Sequence, residues 1–180
     1  DMDVGSQPTL RHRKSDDGVK PAVIVPTKQG SLYVLDRRDG TPIVPIREIP
    51  VPQGAVKGDF TAPTQARSDL NLLAPELTEQ AMWGATPFDQ LLCRIAFRKM
   101  RYEGLYTAPG TDVSLSFPGS PGGMNWGGLP TDPVNDVSHA NDTRPGPRVQ
   151  MIASRHPGAG SVGGEAGNTG LGPALPARTP

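Results

Sequence analysis

Lys28 stands where one apolar run of this chain stops and the next begins. It lies within "PAVIVPTKQGSLYVLDRRDGTPIV", between runs at 22–25 and 32–35, beside a turn that almost any polar residue could serve. An ammonium held there can grip an anion or support negative charge that develops during a reaction. Near the start, Asp1 and Asp3 form a close carboxylate pair. On a strand both would face the same side, where one carboxylate shifts the proton affinity of the other; read locally, the pair is a solvated chain end. Other candidates carry less. His12, His139 and His156 have no paired ligand spacing and read as solvated histidines. Cys93 falls inside a helical stretch, where a small core residue is the plainer role. "GAGSVG" at 158–163 matches the G-x-G-x-x-G spacing of a dinucleotide-binding turn, but the "GEAGNTGLGP" that follows it cannot start the helix such a turn needs.

The elements that must position these groups are short. Residues 22–27 and 31–36 read as two strands joined by a tight turn at Gln29-Gly30. "RRDG" (37–40) is a second turn, because Asp-Gly supplies positive φ, and 41–44 is expected to be a third strand. Three such strands make a meander, the unit of sandwiches, barrels and propellers. "PIREIPVPQGAVKGD" is too rich in proline for a central strand and is expected to be an irregular surface excursion. A helix is predicted over 87–100, "PFDQLLCRIAFRKM": Pro87 suits its first turn, and Phe88, Leu91, Leu92, Ile95 and Met100 fall near one face. That face is expected to pack on a sheet, with Arg94, Arg98 and Lys99 on the solvated remainder. Residues 113–117 alternate as a half-buried strand, 118–133 form a glycine-lined approach to Trp126, and 134–140 form another strand. Beyond Asn141 periodicity disappears, so 142–180 reads as linker-like apart from a brief "VQMIAS".

Composition bounds the rest. With 22 glycines, 21 prolines and only 5% aromatics in 180 residues, the chain has many turns and a thin core, so it reads as a piece of something larger. Net charge is zero with scattered lysines and arginines, which argues against a nucleic-acid footprint. A single cysteine excludes an internal disulfide framework. No apolar run approaches the roughly 20 residues that span a bilayer.

Four blocks, "VPTKQGSLYVLDRRDGTPIVP", "PVPQGAVKGDFTAPTQ", "MWGATPFDQLLCRIAFRKMRYEG" and "FPGSPGGMNWGGLPTDP", occur in this order. Together they resemble the membrane-bound, pyrroloquinoline quinone (PQQ)-dependent glucose dehydrogenases, from Asp1 to about Asn141. "VLDRRDG" is shared with wider quinoprotein alcohol dehydrogenases, whereas "KGD…PTQ" and "FDQLLCR…MRYEG" are more particular to the glucose-type branch. The resemblance implies an all-β fold: part of an eight-bladed quinoprotein β-propeller with one inserted amphipathic helix near 87–100. Residues 1–141 would belong to the PQQ-binding catalytic propeller and 142–180 to a Gly/Pro-rich segment with no assignment.

The same resemblance implies roles. Asp1 matches the first aspartate of the family's W-D-x-D stretch, the general base that takes the proton from the sugar's anomeric hydroxyl. Lys28 matches the cofactor-contacting basic residue, placed to reach a quinone oxygen and stabilise charge there. Asn141 falls at another polar cofactor contact, and Asn125 at a spot that contacts the quinone in alcohol-type relatives. Trp126 reads as a packing aromatic. A calcium or magnesium ion is implied beside PQQ, its ligands unidentified. The implied reaction is oxidation of an aldose, D-glucose, at C1 to gluconolactone, with electrons passed to ubiquinone. The implied setting is the bacterial inner membrane with the catalytic domain facing the periplasm, the anchor lying in an N-terminal region outside this segment. Two alternatives stand beside this: a related quinoprotein acting on quinate or another polyol, and a non-catalytic propeller scaffold.

A propeller piece has open sheet edges and a one-sided core. The isolated 180-residue chain is therefore expected to unfold with weak cooperativity and to be inactive; a sharp calorimetric transition would contradict this.

Overall fold

The computed structural model describes residues 3–15, 18–120, 122–135 and 137–151. In chain order its strands are β1 (Thr9–Ser15), β2 (Gly18–Pro26), β3 (Leu32–Asp36), β4 (Ile46–Pro50), β5 (Thr64–Ser68), β6 (Ser114–Leu115), β7 (Thr131–Asp132), β8 (Val137–Ser138) and β9 (Arg148–Val149). One α-helix, α1 (Pro87–Arg98), and a single 3-10 turn, Glu79–Ala81, complete the described elements. The chain divides into two compact units. The first comprises Asp1–Ile49, Thr64–Pro75 and Ser120–Arg144; the second comprises Pro50–Pro63, Glu76–Gly119 and Pro145–Pro180.

In the first unit, β1, β2 and β3 form an antiparallel meander. Pairing of Ile24 with Val34 and of Pro26 with Leu32 puts these residues on one face, because side chains alternate along a strand. The buried positions of β3 follow that alternation, at Leu32, Val34 and Asp36. Leu32, Met124 and Leu129 form a buried cluster against which Ile24 packs, so the loop near 124–129 covers the meander's inner face. The turns expected at Gln29-Gly30 and at 37–40 both form; in the second, Gly40 N–H donates to Asp36 O at 2.7 Å. Gly30 has φ 101°. A Cβ there would lie 3.2 Å from the Leu72 backbone, so the turn requires glycine both for its φ and for the close approach of another chain segment.

The meander's strands differ from the expectation. Residues 41–44 do not form the third strand; they make one bridge, Leu35 to Pro42, with Asp36 N–H donating to Thr41 O at 2.8 Å and the Ile43 and Val44 N–H groups donating to Val34 O at 2.8 and 3.4 Å. Pro42 has no N–H to continue a ladder. The third strand is instead β1, in a stretch whose polarity hid it. It is an outer strand whose Leu10 is exposed, and the charges of "RHRK" suit an edge that other chains must not pair with.

Part of the supposed excursion at 45–59 is also a strand. β4 pairs with β5, and Arg47 grips Asp69 with both guanidinium arms at 2.7 and 2.9 Å. Tyr33 Oη donates to Ala66 O at 2.8 Å, tying β5 to the meander. The strand expected at 134–140 shrinks to β8, which pairs with β7 across a turn held by Asp132: its carboxylate accepts from Val134 N–H, Asn135 N–H and the Asn135 amide.

In the second unit, α1 begins where predicted. Thr86 Oγ1 accepts from Asp89 N–H and Asp89 Oδ2 accepts from Thr86 N–H, a reciprocal cap that satisfies two otherwise free backbone donors. Its apolar face does not pack as expected. No residue of α1 is buried, and Phe88 and Leu92 are 80% and 64% exposed. The arginine side chains remain open to solvent, as expected, and both also reach Glu79: Arg94 at 2.7 Å, and Arg98 alongside it. An amphipathic pattern specifies that a face seeks cover, not what covers it. β6 is two residues long and fully buried rather than half-buried, and it pairs with β9, whose Val149 opens the "VQMIAS" run. Cys93 is half-buried with a free thiol. Among the described residues no helix is long and apolar enough to cross a membrane.

Asp36 occupies an inward position of β3 and is only 6% exposed. Arg38 answers it: Nε and Nη2 of the guanidinium donate to Oδ1 and Oδ2 at 3.0 and 2.6 Å, and the backbone N–H donates to Oδ1 at 3.0 Å. The guanidinium bonds, then the backbone bond, lower the Asp36 pKa from 3.8 to about 2. A carboxylate with a lowered folded-state pKa stabilises the fold above its unfolded value, and that contribution is lost as pH falls through the folded one. In the full-length protein, the stability lead of wild type over Asp36→Asn should therefore be full above about pH 4 and shrink toward about pH 2. Denaturant titrations across that window measure it; a constant lead would contradict the assignment.

Candidate functional site

The first unit brings one charged group under unusual restraint. Lys28 lies two residues past the end of β2, in a turn locked by Thr27, whose N–H and hydroxyl both donate to Ser31 O at 3.0 Å. The backbone of Lys28 is then held by two distant segments. Its N–H donates to Asp3 O at 3.2 Å, and its carbonyl accepts from Gly123 N–H at 2.7 Å. The side chain is 11% exposed, and Nζ lies 2.8 Å from Asp3 Oδ1, whose own side chain is 57% exposed.

Glycines make room for the stem. Gly122 has φ 77°. A Cβ on it would sit 2.5 Å from Lys28 Cβ and 2.7 Å from Cγ, too close for any substituent. A Cβ on Gly5 would fall 3.4 Å from Lys28 Cε and 2.6 Å from Asn125 Oδ1, so Gly5 seats Asn125 and the far end of the lysine on the same small patch. A Cβ on Gly123 would meet Asp142 Oδ1 at 2.5 Å. Thr143 closes the loop from behind, its N–H donating to Gly123 O at 2.8 Å and its hydroxyl to Gly122 O at 3.0 Å.

Of the predicted site residues, the structure places Lys28 and Asn125 together. It lays the 142–143 segment against the Gly122–Gly123 loop, with Asn141 exposed immediately before it. Asp1 lies outside the described residues, as do His156 and the "GAGSVG" stretch. Trp126, expected to pack, is 85% exposed. Its neighbours Gly127 and Gly128 offer no side chain to cover it, which is the physical reason. His12 and His139 join no metal cluster: among the described residues no group of three or more His, Cys, Asp and Glu gathers as a site.

Sequence reasoning missed four features here. Asp3 was visible only as a partner for Asp1, not for Lys28. Gly5 carried no signal. The doublet Gly122-Gly123 was seen as an approach to Trp126 although it serves Lys28. Asp142, which Arg144 engages at 2.8 Å, also went unmarked. A separate cavity of about 380 Å³ in the same unit is lined by Arg11, Ala22, Ile24, Val34 and Leu70 among others, and none of the predicted site residues faces it.

Residues 1–173 match the family model described as "PQQ: Glucose/ethanol/alcohol dehydrogenase, beta-propeller domain". The chain belongs to this family. It is 55% identical over 179 residues to a probable quinate dehydrogenase (quinone) of Xanthomonas campestris pv. juglandis, covering 96% of this chain and 22% of the relative. With the quinate/shikimate dehydrogenase (quinone) of Acinetobacter baylyi it shares 48% identity, over 96% of this chain and 22% of the relative. The quinoprotein glucose dehydrogenase of Escherichia coli is 45% identical, over 88% of this chain and 20% of the relative. This quinoprotein chain therefore spans about a fifth of the length of the curated relatives it matches. No solved structure matches it. The expected fold class holds: the mostly stranded chain is part of an all-β PQQ propeller.

The residues present suit an acidic, quinone-bearing cofactor. An ammonium largely withdrawn from water, on a stem that glycines allow to lie flush, is a donor for a carboxylate or quinone oxygen.

Gly122→Ala in the full-length quinoprotein should cost about 1–3 kcal/mol, because positive φ and a clash with the Lys28 stem act together. Gly127→Ala, where a Cβ meets nothing within 4 Å, should stay within about 0.5 kcal/mol of wild type. Chemical denaturation compares the two; equal effects would mean the loop is not tightly held.

Proposed function

We propose that the full-length protein is a PQQ-dependent oxidoreductase that oxidises a ring hydroxyl of a cyclic polyhydroxylated substrate and passes the electrons to membrane ubiquinone. The supporting observation is Lys28: a cation 11% exposed, seated among glycines, in a chain of the PQQ propeller family. When bound, PQQ supplies the two-electron acceptor for hydride from the substrate carbon. Lys28 Nζ holds the cofactor by donating to one of its anionic or quinone oxygens, and the Asn125 amide, beside the same patch, adds a neutral contact. Asn141 is the further polar contact on the neighbouring segment. Asp1 acts as the base, its carboxylate taking the proton from the hydroxyl undergoing oxidation. A calcium or magnesium ion belongs to the same reading, acting as a Lewis acid. The enzyme would be bound to the bacterial inner membrane through an anchor elsewhere in the protein, its propeller facing the periplasm.

The first substrate reading is D-glucose, oxidised at C1 to gluconolactone. A second reading, quinate, has a specific observation in its favour: 55% identity to the probable quinate dehydrogenase against 45% to the Escherichia coli glucose dehydrogenase. Both are hydroxylated six-membered rings, and the same base and cation serve either.

In the full-length enzyme with PQQ supplied, Lys28→Ala should lower substrate-dependent dye reduction by about 100-fold or more. Lys28→Arg should not restore it, because a planar fork cannot replace a compact ammonium in a close-fitting seat. Wild-type turnover in Lys28→Ala would overturn the cofactor role. A panel of glucose, quinate, shikimate and glycerol separates the substrate readings, and no oxidation of any polyol would leave the non-catalytic scaffold.

A further inference from the structure

The restraint on Lys28 is graded along its length, and the tip is held by a residue to which no role has been given. Gly122 confines Cβ and Cγ, Gly5 lies against Cε, and Asp3 Oδ1 meets Nζ at 2.8 Å. Lysine carries its charge on a flexible stem with three rotatable donors, so a fixed base does not fix the ammonium. We propose that Asp3 is a positioning residue of this site: its carboxylate aims the Lys28 ammonium at the cofactor and balances its charge. This rests on the reading of Lys28 as a cofactor contact.

Two features of the geometry support it. Asp3 is itself anchored to the residue it directs, because its carbonyl accepts the Lys28 N–H at 3.2 Å. Main chain and side chain of one aspartate thus bind main chain and side chain of one lysine, so the carboxylate has little freedom to miss. The burial is also lopsided, 11% exposed for the lysine against 57% for the aspartate. A surface ion pair of two mobile side chains holds little. Here the cation has already lost most of its water, so a carboxylate 2.8 Å away stabilises and orients a poorly solvated charge. The Asp3 carboxylate, still open to water, keeps its own hydration and loses little by the pairing.

The test is a double-mutant cycle in the full-length enzyme, read as the dissociation constant of PQQ for the apoenzyme with calcium or magnesium present, and as kcat. Asp3→Asn should weaken PQQ binding about tenfold and lower kcat in the wild-type background, and change both by less than about twofold in Lys28→Ala. Asp3→Glu, which keeps the charge, should recover most of the affinity. Equal effects of Asp3→Asn in both backgrounds would overturn the proposal, since Asp3 would then act directly on cofactor, metal or fold. So would an Asp3→Glu protein as weak as Asp3→Asn. Where Asp3→Asn does not accumulate folded, Asp3→Ser runs the same cycle. If Lys28→Ala alone kept wild-type affinity and turnover, the reading beneath the proposal would fail first, and that single mutant separates the two failures.

Discussion

Everything around the candidate site depends on holding one flexible cation still. A lysine ammonium is strongly hydrated and entropically free, and to be useful in a site it must lose both properties. The chain achieves this with backbone rather than side chains. Hydrogen bonds to Asp3 O and from Gly123 N–H fix the main chain on both sides of the lysine, and glycines let the neighbouring loop press against its stem. Bulkier residues would give more apolar contact but would push the loop away. The glycine richness that thins the core is, at this point, what permits close packing.

The rest of the first unit can be understood as support for that turn. The meander supplies a stiff strand end. The cluster of Leu32, Met124 and Leu129 pins the loop that carries Gly122, Gly123 and Asn125 onto the meander's inner face. Tyr33, at an intermediate position of β3, donates to β5, and burial raises its pKa, so it remains a neutral donor at ordinary pH. Asp36, on the inward face, needs the Arg38 fork to be tolerated there. Asp36 is answered by a residue two positions away, whereas Lys28 draws its partners from segments far off in sequence, Asp3 and Gly123.

The second unit presents the opposite situation. Its helix is well capped and correctly started, yet its apolar face is open and its arginines are engaged with Glu79. A chain that spans about a fifth of its relatives' length leaves most of their sequence outside it. Burial of an amphipathic face is a property of the assembly, whereas capping is a property of the helix alone.

That contrast describes what could be read from residues and what could not. Turn chemistry, the helix start at Pro87 and the family blocks were legible, because φ preferences and motifs act over a few residues. Lys28 was legible as an oddity for the same reason. The polar edge strand β1 was not, since an edge needs no apolar alternation, and Pro42 removed the strand that should have completed the meander. The sequence by itself determined the family, the local turns and the identity of the cation. Only the tertiary structure decided that Asp3, Gly5 and Gly122 surround it, and that Trp126 and the face of α1 stay open. Local conformation is set by a residue's own sterics and its near neighbours. Contacts between segments distant in sequence are set by which surfaces the whole chain brings together, and no short pattern records that.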